Sequence, residues 1–156
     1  MTLLERFEIA ADGSHYQFDL ADVDAETDSE ALESPDDRAW PSFSVGRGLV
    51  KVGTTSYFPP GPLVVELHDE APELDEGWDH VAEGSLEVTS GELYVGFFDF
   101  QSLPVKAGTY RVRASGRNLA AADSEESGDD RYRVQLWPAA PAPPQVLKCW
   151  SRLPDA

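Results

Sequence analysis

Along most of the chain, apolar and polar residues alternate with a period of two, the pattern of strands that bury one face. Leu4, Arg6 and Glu8 fall on one side and Glu5, Phe7 and Ile9 on the other, a ragged first strand. Beyond Asp12-Gly13-Ser14, the residues Tyr16, Phe18 and Leu20 alternate with His15, Gln17 and Asp19. The Asp-Gly pair between the two segments predicts a hairpin. Further strands are expected over Leu49–Thr55, Pro62–Leu67, Gly84–Thr89, Glu92–Asp99, Gly108–Ser115, Arg131–Trp137 and Val146–Trp150. Ser90-Gly91, between two of these, is the strongest two-residue hairpin signal in the chain. In Gly108–Arg113 the alternation turns Tyr110 and Val112 inward and the arginines Arg111 and Arg113 outward.

No window has convincing helical periodicity, and the best of them, Asp22–Leu32, is acidic with little apolar stripe. Short strands separated by Gly, Pro and Asp turns predict an all-β protein. The expected architecture is a β-sandwich or flattened barrel of about eight or nine mainly antiparallel strands. Residues 138–144 hold four prolines and read as an extended connection before the last strand.

At 156 residues the chain suits one domain, residues 1–156, that buries roughly 70% of its unfolded surface without metal or disulfide. Charge changes this picture more than size does. There are 29 acidic and 12 basic residues, a formal net of −17, which argues against a surface for nucleic-acid phosphates or an anionic membrane. The acids concentrate in three expected loops, 19–37, 66–83 and 123–130, while no basic residue lies between Lys51 and Lys106. A single Cys excludes a disulfide scaffold and a multi-Cys zinc site, and suits a reducing compartment. The first residues lack the basic start and apolar run of a secretory signal, and no apolar stretch is long enough to span a membrane. A cytoplasmic protein is expected. Nine Arg against three Lys, with one Ile and one Asn, fits a GC-rich bacterial genome.

Asp22, Asp24, Glu26, Asp28, Glu30 and Glu33 stand at EF-hand-like ligand spacing, but Thr27 occupies the position where the loop needs Gly. A solvated acidic loop is the better reading. The histidines, among them His68 beside Asp69 and Glu70, and His80 after Asp79, match no metal-ligand spacing and read as turn or edge residues. No nucleophile-elbow or phosphate-binding glycine motif is present, and Cys149 in the terminal strand reads as packing. The sequence therefore predicts no catalytic residue, no metal and no cofactor.

What remains is the surface. Carboxylates in loops, with Trp40, Phe43, Tyr57 and Trp78 near them, are what a binder of a basic protein presents, although acidity also serves solubility alone. The expected contact residues are Asp69, Glu70, Glu73, Asp75, Glu76, Trp78 and Asp79, with Asp22, Asp24 and Asp28 as a second patch.

The order of a His15-Tyr16-Gln17-Phe18 strand, Gly77-Trp78, a Gly84–Asp99 hairpin and Leu103-Pro104-x-x-x-Gly108-x-Tyr110 resembles the competence protein J family. That resemblance implies a small cytosolic β-rich bacterial protein and, from the type member, inhibition of a partner nuclease. The chain from Asp123 onward departs from the family's pattern. The stretch from Tyr132 to Lys148, with Gln135-Leu136-Trp137-Pro138, is similar to the ends of uncharacterised proteins from GC-rich bacteria. Neither resemblance carries over a functional residue. Together with the charge, they lead to the expectation of a non-enzymatic inhibitor or immunity-type protein for a basic partner such as a nuclease or toxin. Two alternatives stand beside it. One is a small-ligand or carbohydrate-binding sandwich using Trp40, Trp78, Tyr94 and Phe97, and the other an accessory subunit held by its Pro138–Trp150 tail.

Overall fold

Eleven strands and one helix account for most of the residues that the computed structural model describes, which are 2–12, 16–24, 32–35, 41–55, 59–125 and 128–150. In chain order they are β1 (Leu3–Ile9), β2 (Gln17–Asp22), β3 (Phe43–Gly46), β4 (Leu49–Gly53), β5 (Leu63–His68) and β6 (His80–Val88). Then come β7 (Glu92–Gly96), β8 (Phe100–Pro104), β9 (Gly108–Arg117), α1 (Leu119–Glu125), β10 (Arg131–Pro138) and β11 (Gln145–Lys148). One sheet has the order β1-β5-β10-β9-β6-β11, the other β3-β4-β2-β7-β8, and neither closes into a barrel. All pairings are antiparallel except β5 with β10.

The inner faces of the two sheets form one core. Leu63, Val65, Leu86, Val112, Val134 and Leu136 of the first sheet meet Phe18, Leu20, Val50, Val52, Leu93 and Val95 of the second. Burying these alternating side chains from both sides is what selects a sandwich. At Gly84 the layers come close, since a Cβ there would lie 2.5 Å from Val45 Cγ1 of β3. The all-β architecture is the one expected, with eleven strands among the described residues instead of eight or nine.

Both expected hairpins are absent as pairings. β1 joins β5 in the first sheet and β2 joins β4 and β7 in the second, so the chain changes sheets after Ile9. Likewise β6 pairs with β9 and β11, whereas β7 pairs with β2 and β8, so Ser90-Gly91 is a corner between sheets. Gly91 has φ 82°, which supplies the sharp bend without the side-chain clash of other residues. The short α1 was not expected: seven residues, with Leu119 and Ala122 the buried ones among those whose burial is described, are too few to register as a periodic stripe.

Arg111 and Arg113 do lie on the face opposite Val112 and Ala114, but that outer face is covered, and both arginines are buried. Glu83 on the neighbouring strand accepts from Arg111 Nε at 3.1 Å and Arg113 Nε at 2.8 Å. The proline-rich connection closes over them. Ala142 and Pro143 carbonyls each accept from Arg111 at 3.0 Å, and Ser85 Oγ donates to Ala142 O while accepting from Ala142 N. Arg113 also lies over the Trp137 ring, 4.9 Å from its centroid.

Candidate protein-binding surface

The connection from β5 to β6 must pass over β10 and β9, because those strands lie between them in the sheet. Residues 69–79 make that crossing as a strap on the arginine-bearing outer face. Three contacts fasten its length. Arg113 Nη1 donates to the Pro72 carbonyl at 2.9 Å, and Arg133 Nη1 meets Asp75 Oδ2 at 2.6 Å. Further on, the guanidinium groups of Arg133 and Arg117 both pack on the Trp78 ring, 4.7 and 5.0 Å from its centroid. Cation–π contact with two arginines, plus burial of the indole, makes Trp78 the main anchor.

The ends of the strap are fixed as well. Asp69 Oδ1 accepts from the Thr2 amide at 2.5 Å, and the Asp69 amide donates to the Thr2 carbonyl at 3.1 Å. The Thr2 amide holds the Asp69 carboxyl below the usual carboxylate range. Asp79 Oδ2 accepts from the Leu119 amide at the start of α1, and the Asp79 amide donates to Gly116 O. Between these fixings Asp69, Glu70, Glu73, Asp75 and Glu76 are exposed, while Asp79 is half-buried. Five of the seven residues expected around Trp78 thus share one restrained, solvent-facing segment. Trp78 is buried beneath it and offers its ring to arginines of its own chain.

Behind the strap a further carboxylate is held within the face. Glu66 Oε1 accepts from Gln135 Nε2 at 3.0 Å and lies 2.9 Å from His68 Nε2. The sequence signal for this mounting is the alternation in Gly108–Arg113, which turns Arg111 and Arg113 outward; Arg117 and Arg133, which hold Trp78, carry no such reading in the sequence analysis.

The second expected patch is differently placed. Asp22 ends β2, is 4% exposed, and accepts hydrogen bonds from the amides and hydroxyls of Thr89 and Ser90 at 2.5 to 3.2 Å. Burial raises its pKa, but these hydroxyls and amides outweigh it and bring the Asp22 carboxyl down to about 2. Asp22 therefore braces the corner between β6 and β7. Asp24 is exposed, and Asp28 lies outside the described residues. Asp79 and Asp22 sit beyond opposite ends of β6, roughly 25–30 Å apart along the strand.

Other candidates fall into place with less consequence. Among the described residues no group of three or more His, Cys, Asp or Glu is arranged to hold a metal. His80 faces the core. Its Nδ1 accepts from the Trp150 amide at 3.0 Å, and burial pulls its pKa down to about 4. Asp130 and Tyr132 form a buried pair at 2.7 Å, with the Thr55 amide donating to the same phenol oxygen. Burial pushes the Asp130 carboxyl up and the Tyr132 phenol well up. Of the aromatics considered as a ligand platform, Phe97 is in the core, Trp78 is under the strap and Trp40 lies outside the described residues, which leaves Tyr94 exposed. The tail runs along its own sheet through β11, and Cys149 is exposed.

No family model and no curated protein matches this sequence. Two solved structures are similar to this two-sheet β protein in fold. One is ComJ from Bacillus subtilis, inhibitor of the DNA degrading activity of NucA: TM-score 0.59, 12% identity, covering 88% of this chain and 98% of that one. The other is crocagin biosynthetic gene J, with TM-score 0.57 and 17% identity, covering 90% of this chain and all of its counterpart (100%). At such identities the likeness is one of fold. The resemblance to the competence protein J family seen in the sequence is matched by this shared architecture.

Among the described residues no helix is long and apolar enough to cross a membrane.

Proposed function

We propose that this chain is a non-enzymatic inhibitor or immunity-type protein that binds a basic protein partner, such as a bacterial nuclease or toxin. On this reading it acts as one domain in the bacterial cytoplasm and needs no cofactor. The observation that carries the reading is the strap. Asp69, Glu70, Glu73, Asp75 and Glu76 are presented on a segment fastened by Trp78, Pro72, Asp69 and Asp79, so their charges keep a common mounting. A restrained row of carboxylates steers a cationic partner and loses little entropy when that partner docks. ComJ, which has this fold, inhibits a DNA-degrading protein, and this supports a nuclease as the partner. Asp22 has no part in the contact, since its oxygens hold Thr89 and Ser90.

The direct test is neutralisation. Among basic bacterial nucleases and toxins co-expressed with it, at least one is expected to be neutralised so that cells are protected, and the purified pair to form a stoichiometric complex that blocks DNA degradation. A triple variant Glu70→Lys, Glu73→Lys, Glu76→Lys that stays folded is expected to lose protection. Full protection by that variant contradicts the reading.

A further inference from the structure

Among the described residues, the four edge strands of the two sheets are protected unequally. β1 carries Glu5, Arg6 and Glu8, and β11 ends on Lys148 with an irregularity between Val146 and Lys148 in its pairing to β6. β3 is covered by Glu33, whose backbone exchanges hydrogen bonds with Val45 at 2.8 and 2.9 Å. Charge, irregular pairing and cover are the usual ways in which a sheet edge avoids accepting another strand.

β8 has none of them. Its residues Phe100-Gln101-Ser102-Leu103-Pro104 include no charge and pair regularly with β7. Among the described residues no strand lies on its other side, and Phe100, Gln101 and Ser102 are exposed. Only Pro104, at the very end, restricts further pairing.

The face beside this edge is aromatic. Tyr94 stands opposite Ser102 and Phe100 opposite Gly96, on the same side of the sheet. With Phe98 in the connecting turn they are 40%, 45% and 47% exposed. Asp12 holds that turn by accepting from the Phe98 and Asp99 amides at 3.2 and 2.8 Å. Exposed Glu92 and Asp99 flank the aromatics, with Lys106 the first base beyond Pro104. Across the whole chain the net charge is −17, so a second copy of the protein is repelled and a cationic chain is attracted.

We propose that β8 is a docking edge for an extended, positively charged segment of a partner protein, which adds as a sixth strand and lays Lys or Arg side chains over Tyr94, Phe98 and Phe100. Main-chain hydrogen bonds along the edge supply the register, and cation–π contacts with Glu92 and Asp99 at the rim select the charge. The site lies in the sheet opposite to the strap and does not depend on the strap's role.

The test uses the whole protein and a synthetic peptide of alternating Val and Lys at millimolar concentration, with a Val–Glu peptide as counterpart. Alternate amides between Phe100 and Leu103 are expected to exchange about fivefold more slowly with the Val–Lys peptide and to be unchanged by the Val–Glu peptide. Ser102→Lys, placed on the exposed face opposite Tyr94, is expected to weaken binding about tenfold, and Tyr94→Ala to weaken it with the edge intact. No protection of β8, protection confined to another strand, an equal response to the Val–Glu peptide, or self-association through β8 each overturns the proposal. Strap charge reversal is expected to leave this peptide binding unchanged, so the two readings fail separately.

Discussion

Asp22 turns a carboxylate into a brace for the corner at Thr89-Ser90. Its pKa of about 2 lies below the ordinary 3.8, so the stabilisation is complete above about pH 4 and is lost as pH falls toward 2. Asp22→Asn is expected to cost about 1–2 kcal/mol at neutral pH in urea denaturation, and the difference from wild type to vanish near pH 2. His80 works in the same direction from a different start. Its folded pKa of about 4 lies below 6.5, so the unfolded chain takes up the proton first. Stability from the neutral ring is complete above about pH 6.5 and drains away down to pH 4, by about 3 kcal/mol over that window. The protonated Nδ1 can no longer accept the Trp150 amide, so β11 is expected to be the first strand whose amides exchange faster on acidification. A His80→Gln variant with the same steep loss between pH 6.5 and 4 would contradict this assignment.

At the scale of elements, the outer face of the first sheet rests on Glu83. Removing it leaves Arg111 and Arg113 buried with a lost counterion, and Glu83→Ala is expected to cost about 3–5 kcal/mol in denaturation experiments. Loss of the exposed Arg6–Glu8 pair is expected to cost under about 1 kcal/mol. The same face shows where sequence reading succeeds and where it stops. Alternation placed Arg111 and Arg113 opposite Val112 correctly, because the period-two rule is local. What covers them is a long-range matter, decided by the crossing of 69–79 and the prolines of 138–144, and nothing in the local pattern reports it. Ser90-Gly91 correctly signalled a sharp bend, but whether a bend returns along its own sheet or passes to the other depends on distant partners. β3 and β8 were missed because four residues ending in Gly, and five ending in Pro with three exposed in a row, carry too little alternation to register. The acids of the strap were legible as a group. Their fastening by Trp78 was not, since a lone Trp in an acidic loop reads equally well as a partner contact.

Over the whole molecule, much of the negative charge has local work. Glu66, Glu83, Asp75, Asp12 and Asp22 each hold a side chain or an amide of the same chain. The two expected patches thus differ: the first is a restrained row on the strap, and Asp22 of the second is a buried corner brace. Among the described residues the strap keeps five exposed carboxylates on one fastened segment, the arrangement on which the proposed steering of a basic partner rests.

The most direct measurement is therefore the association rate with a purified basic nuclease or toxin that the protein neutralises in co-expression, over a range of salt concentration. The wild type is compared with the Glu70→Lys, Glu73→Lys, Glu76→Lys variant and with a control reversed at the exposed Glu87, away from both the strap and β8. The strap variant is expected to associate about tenfold more slowly at low ionic strength, with the gap closing above about 0.5 M salt, while the control stays within about twofold of wild type. Equal slowing by both variants, or an unchanged rate and salt slope in the strap variant, would contradict the account.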